Sequence, residues 1–370
     1  MESALFKPLQ VGRVTLAHRI VMAPLTRLRA DANNVQLPMA VEYYKQRASV
    51  PGTLIIAEAT QISPAHAGFG NAPGIWNDDQ IASFRRITDI IHAKSCSVFC
   101  QLFAPGRAAD TQELEKTGHS FFSSSPVAMT YGSDTPREMA AAEIESAIAD
   151  FAQAAKNAVS AGFDGVEIHG ANGYLVDQFL QDTCNRRKDD WGGSVENRAE
   201  FALRVAAAVV DAIGADRVGF RISPWSTFQG MKMADAEPQF VYLVSKLKDM
   251  KLAYLHIIES RVMNNIDVEK VEGIEFLLDI WRGTSPILVA GGFSPDSARK
   301  AVDEEYQQYG DVAVVFGRHF IANPDLPLRV KNGLPLNKYD RSTFYTPMSE
   351  TGYLDYPFSP IYEEGEEIVY

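Results

Sequence analysis

Cysteine is scarce in this chain, with three residues among 370: Cys96, Cys100 and Cys184. An odd count argues against a fully paired disulfide framework. The spacing from Cys96 to Cys100 has no histidine or second cysteine pair that would complete a zinc site. We therefore expect free thiols in a reducing compartment and no metal.

Basic charge and long apolar runs are missing as well. The chain has 35 Lys and Arg against 47 Asp and Glu, a net charge of −12, and no run of about five basic residues, so nucleic acid and anionic membranes are poor partners. No stretch of about 18 consecutive apolar residues occurs. The start, Met1-Glu2-Ser3-Ala4, lacks the basic segment and apolar run of a signal peptide. We expect a soluble, cytoplasmic protein.

Strand-like and helical patterns alternate along the chain. Short apolar runs alternate with segments of helical periodicity, and strands that are each followed by a helix predict a parallel (β/α)8 TIM barrel. We expect a single barrel domain over 1–370. The strand-like runs are 20–24, 53–57, 97–102, 165–168, 218–222, 254–258, 287–290 and 312–316, and the helical segments are 39–48, 78–94, 142–161, 197–213, 238–250, 271–282, 295–304 and 327–332.

Three segments lie outside this repeat. Residues 5–20 predict a hairpin that turns at Gly12 and closes the bottom of the barrel. Residues 104–140 follow the third strand and are rich in Ser, Gly, Thr and Pro, which is typical of a functional lid or a disordered insertion. The C-terminal tail, 334–370, contains an acidic run at 363–367 that we interpret as a solvated terminus.

Polar residues follow the fourth strand in the stretch Gly165–Leu175. His169 and Asn172 can direct two donors at one carbonyl oxygen, and Tyr174 can deliver a proton nearby. The pattern alone favours a simpler interpretation, in which His169 is a satisfied barrel histidine and Tyr174 a half-buried aromatic. Both interpretations place these residues at the carboxyl ends of the strands, where barrel enzymes carry their chemistry.

Glycines follow the seventh and eighth strands, at Gly291, Gly292 and Gly317, and the last is followed by Arg318. In TIM barrels the loops after these two strands often bind phosphate, because glycines let backbone N–H groups approach the oxygens and an arginine adds a charge-assisted contact. A glycine pair by itself more often makes a turn. Two such signals at the two expected strands favour a phosphate site.

Other strand ends carry residues that can face a planar ligand across the mouth of the barrel. These are Thr26, Ala59, Gln101 and Arg221, after the first, second, third and fifth strands. For Arg221, an ion pair inside the barrel is an equally good interpretation.

Longer motifs make the pattern specific. Gly165–Leu175 is followed by Asp177-Gln178-Phe179-Leu180 and by the segment Trp191–Arg198. With these motifs the chain resembles the Old Yellow Enzyme family of NADPH-dependent FMN ene-reductases, and most closely its fungal branch. The resemblance extends from Leu5 to Pro357.

The resemblance implies a role for each candidate residue. His169 and Asn172 would bind the substrate oxygen, Tyr174 would be the proton donor, and Tyr345 would contact the substrate from the tail. Without the resemblance, Tyr345 would be interpreted as a packing residue. The remaining implied residues contact FMN: Pro24, Leu25, Thr26, Ala59, Gln101, Arg221, Gly291, Gly292, Gly317 and Arg318.

Two positions depart from the family pattern. Phe103 and Ala104 stand where an aromatic residue and a histidine are common, so Phe103 is expected to contact the substrate and narrow its pocket. Ala59 stands where glycine is frequent.

The segment Gly68–Pro73 lacks the third glycine of a dinucleotide fingerprint, which fits a nicotinamide that binds only transiently.

The implied reaction is reduction of the C=C bond of an α,β-unsaturated aldehyde or ketone. Hydride passes from NADPH, or less favourably NADH, to flavin N5 and then to Cβ, and Tyr174 protonates Cα. One alternative on the same fold is a secondary-metabolite enzyme that isomerises an alkene or catalyses a redox-neutral cyclisation. Others are a phosphosugar enzyme without flavin and a non-catalytic scaffold. The substrate, the choice between monomer and homodimer, and the loops 104–140, 225–235 and 260–268 are left open by the sequence.

Overall fold

The computed structural model describes residues 2–130, 132–260, 262–263, 266–267 and 271–363. Four residues of the loop 260–268, at 261, 264, 265 and 268, and all but the first residue of the acidic run 363–367 lie outside the described residues. In the part of the chain that is described, no helix is both long enough and apolar enough to cross a membrane.

The centre of the fold is a closed barrel of parallel strands, as predicted. Each strand pairs with the next along the chain, and the last pairs with the first, with Val314 opposite Ile20. The predicted strands are thereby confirmed. They are β1 Ile20–Met22, β2 Leu54–Gln61, β3 Ser97–Phe103, β4 Gly165–Gly170, β5 Val218–Ile222, β6 Tyr254–Ile258, β7 Ile287–Ala290 and β8 Val312–Phe316.

A helix follows each strand and packs on the outside of the barrel. The second begins with a capping box between Asn77 and Gln80, as the local sequence favours. The eight are α1 Pro38–Arg47, α2 Asp78–His92, α3 Ala141–Ser160, α4 Val195–Ile213, α5 Glu237–Asp249, α6 Glu275–Trp281, α7 Pro295–Lys300 and α8 Leu326–Asn332. Short helices lie between them at Thr111–Thr117, Leu175–Leu180 and Arg318–Ala322, and a last one at Pro360–Glu363.

One helix begins later than its pattern predicts. The periodicity starts at Val271, but α6 starts at Glu275. The backbone N–H groups of Val271 and Glu272 both donate to the Ser260 hydroxyl, 3.1 and 3.0 Å away. These residues are therefore held at the end of β6 instead of joining the helix.

The predicted N-terminal hairpin closes the amino-terminal end of the barrel. Leu9–Val11 pairs with Val14–Leu16, and Gly12 makes the turn with φ of +53°. Its strands bury Leu9, Val11 and Leu16 in one apolar cluster with inward residues of the barrel strands. Burial of each such side chain contributes about 1.5–3 kcal/mol, so the hairpin is part of the barrel core.

The insertion 104–140 is packed against the barrel over its described residues. It contains the helix Thr111–Thr117, and Phe122–Ser123 pairs in parallel with Arg137–Glu138. Ser123, Ser124 and Ser125 are fully buried. A disordered insertion is therefore the wrong alternative for these residues, and the role of a lid stays a prediction.

The C-terminal tail is fastened to the loop after β1 by two fully buried arginines. Arg27 donates to the carbonyl oxygens of Phe344 and Gly352, at 3.1 and 2.7 Å, and Arg29 donates to that of Ser349 at 2.9 Å. Because the loop after β1 leaves the carboxyl end of the barrel, these bonds bring the tail to the mouth of the barrel.

Candidate active site

The end of β4 turns sharply and displays three polar side chains. Asn172 and Gly173 both have positive φ, 56° and 77°, and the Tyr174 N–H donates to Ala171 O at 3.4 Å. This is the geometry of a type I′ turn, which Asn-Gly favours. The Asn172 N–H donates to the Ser223 hydroxyl at 2.7 Å, so the turn is fixed to the end of β5.

Aromatic rings line one side of the opening. The ring centroids of Tyr174 and His169 lie 4.9 Å apart, and those of Tyr174 and Phe103 lie 5.2 Å apart in an edge-to-face contact. Phe69 approaches Phe103 at 5.7 Å and Tyr174 at 6.1 Å. Phe103 is 2% exposed, so it forms part of this wall.

Phe69 was not predicted as a site residue, because the pattern of its segment, Gly68–Pro73, indicates only an incomplete dinucleotide fingerprint. Its backbone N–H donates to Gln61 Oε1 at 2.9 Å, and its carbonyl accepts from Gln61 Nε2 at 3.3 Å. Gln61 therefore fixes the loop that carries the ring. No local pattern predicts this contact, because a strand end and a separate loop create it.

The protonation states of His169 and Tyr174 suit different tasks. Burial, with the nearby Arg221 and His256, holds the pKa of His169 well below its ordinary value, so the imidazole is neutral at physiological pH. Burial and Tyr345 raise the pKa of Tyr174 to about 12, so the phenol keeps its proton. Both can therefore donate hydrogen bonds without bringing charge to the site.

Arg221 is a buried cation without a hydrogen-bond partner in the described chain. It pairs in register with His169 on β4 and with His256 on β6. Its side chain makes no ion pair with a described residue, and its Nε has no partner, nor does Nδ1 of His169. A buried polar group in this condition costs about 1–3 kcal/mol. The barrel ion pair considered for Arg221 is therefore not formed at contact distance, and the geometry favours a ligand.

Gln101 lies beside this cation on β3 and is held from below. Its Nε2 donates to Glu167 Oε1 at 2.8 Å, and the other oxygen of Glu167 lies 2.8 Å from Nδ1 of His256. Both Gln101 and Glu167 are buried. Glu167 and His256 were not predicted as site residues, since polar residues within a strand give no signal of what they face.

The remaining predicted ligand contacts surround the same opening. Pro24, Leu25 and Thr26 are half-buried beyond the end of β1. Ala59 is buried where the register of β2 against β3 shifts, between Ala57 and Thr60. This irregularity carries β2 past its predicted end.

The glycines after β7 and β8 lie in adjacent loops because the two strands pair. Gly291 and Gly292 have φ of 148° and 66°, and a Cβ on Gly291 would lie 3.1 Å from that of Glu259. Gly317 precedes the short helix Arg318–Ala322, and Nη1 of Arg318 donates to the Tyr339 hydroxyl at 3.2 Å. Glycine backbone at two adjacent strand ends, without side chains in the way, suits the close approach of phosphate oxygens.

Tyr345 lies on the fastened tail and is 58% exposed. It raises the pKa of Tyr174, which places the two phenols near each other, and its ring contacts Phe344. In this structure it is the most open of the predicted substrate residues, and its contact with substrate stays a prediction.

Gln178 joins the loops on either side of the opening. Its Nε2 donates to Pro105 O at 2.9 Å and to Gly173 O at 2.8 Å. Its Oε1 accepts from the Arg107 N–H at 3.1 Å and from the Ser123 hydroxyl at 2.7 Å. From the sequence alone, Gln178 is only a part of a family motif. Its position four residues after Tyr174 is the only local signal for this role.

Asp177 supports the same turn. Its Oδ2 accepts from the Gly173 N–H at 2.9 Å, and its Oδ1 accepts from Gln181 Nε2 at 2.8 Å. Burial raises the pKa of Asp177 to about 7, although these two hydrogen bonds oppose the rise. The turn that carries Tyr174 therefore rests on a carboxyl group that titrates near neutral pH.

Sequence comparison relates the chain to flavin enzymes. A sequence model of the NADH:flavin oxidoreductase / NADH oxidase family matches residues 4–337. A chanoclavine-I aldehyde reductase, fgaOx3 of Penicillium roqueforti, is 54% identical over 98% of both chains. An NADP-dependent oxidoreductase, lnbE of Aspergillus flavus, is 54% identical over 97% of both. A relative named as a probable inactive reductase, easA of Epichloe festucae var. lolii, is 50% identical over 97% of this chain and 96% of its own.

Structural comparison gives the same relation. The crystal structure of Old Yellow Enzyme from Pichia sp. superimposes with a TM-score of 0.91 and 36% identity, covering 97% of this chain and 94% of that one. At this identity and coverage the likeness extends beyond the barrel to the insertion and the tail.

Proposed function

Because the chain belongs to the NADH:flavin oxidoreductase / NADH oxidase family and to its Old Yellow Enzyme group, we propose that it reduces the C=C bond of an α,β-unsaturated aldehyde with NADPH. Membership makes it an FMN oxidoreductase; the bond reduced, the substrate class and the reductant are the proposal. One observation supports it most: Arg221 and His169 are buried side by side at two strand ends, each with polar atoms that lack a partner among the described residues.

The residues present fit FMN. Arg221 offers a cation that an electron-rich ring edge would satisfy, and Gln101 offers an amide beside it. Gly291, Gly292 and Gly317 offer glycine backbone to a phosphate at two adjacent strand ends, with Arg318 next in the chain. Bound FMN supplies a carrier that takes hydride from the nicotinamide and passes it to the β-carbon of the substrate.

The chain's own task is first to hold and polarise the substrate oxygen. His169 is neutral, so it acts as a hydrogen-bond donor and does not repel Arg221. The Asn172 side chain has no protein partner in the described chain, while its backbone is fixed by Ser223. Two fixed donors on one carbonyl oxygen stabilise the negative charge that develops as the β-carbon is attacked.

Tyr174 then delivers the proton to the α-carbon. Its raised pKa of about 12 keeps the phenol protonated, and the turn Ala171–Tyr174 fixes its position beside His169. A positioned acid of this kind typically contributes about 10²–10⁴-fold to the rate. Removal of the hydroxyl should therefore affect only the step in which the substrate is reduced.

Relatives support the substrate class and the reductant. The relative fgaOx3 is named as an aldehyde reductase, and lnbE as an NADP-dependent oxidoreductase. An aldehyde has one small substituent at its carbonyl, which suits a site walled by the rings of Phe69, Phe103 and Tyr174. We therefore propose that the protein prefers enals to enones as substrates and NADPH to NADH as the reductant.

The test separates the two half-reactions by rapid mixing. The purified protein should be yellow, NADPH should bleach it, and an enal such as cinnamaldehyde should restore the colour and yield the saturated aldehyde. Tyr174→Phe should slow the enal step about 10²-fold or more and leave NADPH reduction within about twofold. Tyr242→Phe, on the outer helix α5, is the matched control and should change neither step.

Two results would contradict the proposal. A protein that takes up no FMN rejects the cofactor assignment. Equal slowing of both half-reactions by Tyr174→Phe rejects the role of Tyr174. A product isomerised without net consumption of NADPH would instead favour the redox-neutral alternative.

A further inference from the structure

In the layer beneath the mouth, the inside of the barrel is apolar on one half and polar on the other; deeper down, Phe99 of β3 and Tyr254 of β6 join the apolar residues. Inward residues of β7, β8, β1 and β2 are Leu288, Ala290, Ala313, Val315, Val21, Ala23, Leu54 and Ile56. The four strands β3 to β6 instead carry buried polar residues beneath the mouth, namely Gln101, Glu167, Arg221 and His256, and β4 carries a second one, His169, at its end. Glu167 is central to the first four, since it contacts two of the other three and influences the third.

On the basis of the proposed function, we propose that Glu167 is a positioning residue for the flavin. It fixes the orientation of the Gln101 amide and balances the charge of Arg221, and it thereby sets how much more tightly the site binds reduced than oxidised FMN. The proposal stands on the geometry of the four side chains, and it concerns a residue that contacts neither substrate nor ring.

The orientation of Gln101 follows from its hydrogen bond to Glu167. A carboxylate can only accept, so it engages the amide nitrogen of Gln101 at 2.8 Å. The amide oxygen is then the group left to face the mouth, and no donor in the described chain contacts it. The isoalloxazine ring has one N–H donor on its pyrimidine edge, at N3, and an acceptor suits it. Without Glu167 either orientation of the amide would be available.

The charge balance follows from the protonation states. Burial opposes ionisation of Glu167, but His256, Arg221 and Gln101 outweigh it and hold the pKa of Glu167 below its ordinary value. Burial lowers the pKa of His256, so this imidazole is neutral at physiological pH. The charges of Arg221 and Glu167 then cancel, and Glu167 is the carboxylate of the described chain that acts on Arg221.

Loss of the Glu167 charge would leave Arg221 uncompensated in a water-poor site. Reduced FMN carries a negative charge on the N1–C2 side that oxidised FMN lacks. An uncompensated cation therefore favours the reduced form, and charge interactions are strong where the effective dielectric constant is low. The expected effect is a change in relative affinity, which a purely structural lesion would not produce.

The experiment measures the dissociation constants of oxidised and reduced FMN with Glu167→Gln, under anaerobic conditions. We expect the ratio of the two constants to move at least tenfold in favour of reduced FMN, equivalent to a rise in redox potential of about 30 mV for a two-electron couple. The control is Asp325→Asn. Asp325 is also a fully buried carboxylate, paired with Arg329 at 2.7 Å, but it lies at the start of α8; its loss should lower stability and leave the ratio unchanged.

Glu167→Asp separates the two roles and serves if Glu167→Gln does not fold. The shorter side chain keeps the negative charge but moves the carboxylate away from the Gln101 amide. Oxidised and reduced FMN should therefore both bind about tenfold more weakly, and the redox potential of the bound FMN should not change. If wild type binds FMN and the redox potential of FMN bound to Glu167→Gln equals that in wild type, the charge assignment is wrong. A shift of this potential in Glu167→Asp would also contradict it. Wild type that binds no FMN refutes the proposed function instead.

Discussion

Replacement of Gln178 by methionine should loosen the loops that carry the candidate catalytic residues. Methionine has a similar length and volume but makes none of the four hydrogen bonds formed by Gln178. Each net hydrogen bond contributes about 1 kcal/mol, so the variant should lose about 4 kcal/mol of unfolding free energy. The loss is near the upper end of what single substitutions produce, because the partner groups stay buried.

The kinetic consequence is specific, since one of the lost bonds holds Gly173, next to Tyr174. A displacement of about 1 Å at a reacting group can lower a rate about 100-fold. We expect that fall in the enal half-reaction of Gln178→Met and a much smaller one in reduction by NADPH.

The assays are urea unfolding and rapid-mixing kinetics, with Gln153→Met as the control. Gln153 is exposed on α3 and makes one hydrogen bond, to Asn157 at 2.8 Å, so its loss should change stability by less than about 0.5 kcal/mol. A Gln178→Met protein within about 1 kcal/mol of wild type, with both half-reactions intact, would refute the idea that Gln178 joins these loops.

Two further predictions concern pH and the backbone. Burial raises the pKa of Asp177 to about 7 from 3.8, so the folded state binds this proton more tightly than the unfolded state. The contribution of Asp177 to the free energy of unfolding is therefore present at low pH and is lost as the pH rises through 7. In urea titrations, the free energy of unfolding of wild type relative to that of Asp177→Asn should rise by roughly 4 kcal/mol from pH 8 to pH 4. A difference between the two proteins that does not change with pH would refute the pKa shift. Gly12→Ala should lower the unfolding free energy by about 2–4 kcal/mol, because a Cβ there would lie 2.0 Å from Asp216 O. Gly118→Ala, with φ of +70° and open space around it, should lose only about 1 kcal/mol, and equal losses would show that the contact is irrelevant.

The barrel could be predicted because its strands are buried on both faces and therefore read as short apolar runs. Buried strand residues that are polar do not give this signal, and the strand ends that contain them were not predicted. β2 continues to Gln61 beyond the apolar run that ends at Ala57, through Glu58, Thr60 and Gln61, all buried. These polar residues are satisfied by partners far along the chain, such as Gln36 for Glu58 at 2.8 Å. A local pattern contains no information on such partners.

The candidate site divides in the same way. His169, Asn172 and Tyr174 lie within one strand end and one turn, so their proximity follows from local sequence. Phe69 and Gln178 contribute through contacts between separate loops, and only the closed barrel brings those loops together. The sequence therefore identified the groups proposed for chemistry, whereas the residues that position them required the structure.

The polar half of the barrel interior gives a physical reason for keeping an unfavourable arrangement. Apolar residues on β3 to β6 would fill the interior as they do on the other half, without the cost of about 1–3 kcal/mol for each unsatisfied buried polar group. Arg221 and His169 nevertheless remain without partners in the described chain. A site whose donors are already bonded to protein would have to break those bonds before binding a ligand. Donors held in place and left unsatisfied give their full interaction to the ligand, so stability lost in the empty barrel becomes affinity in the occupied one.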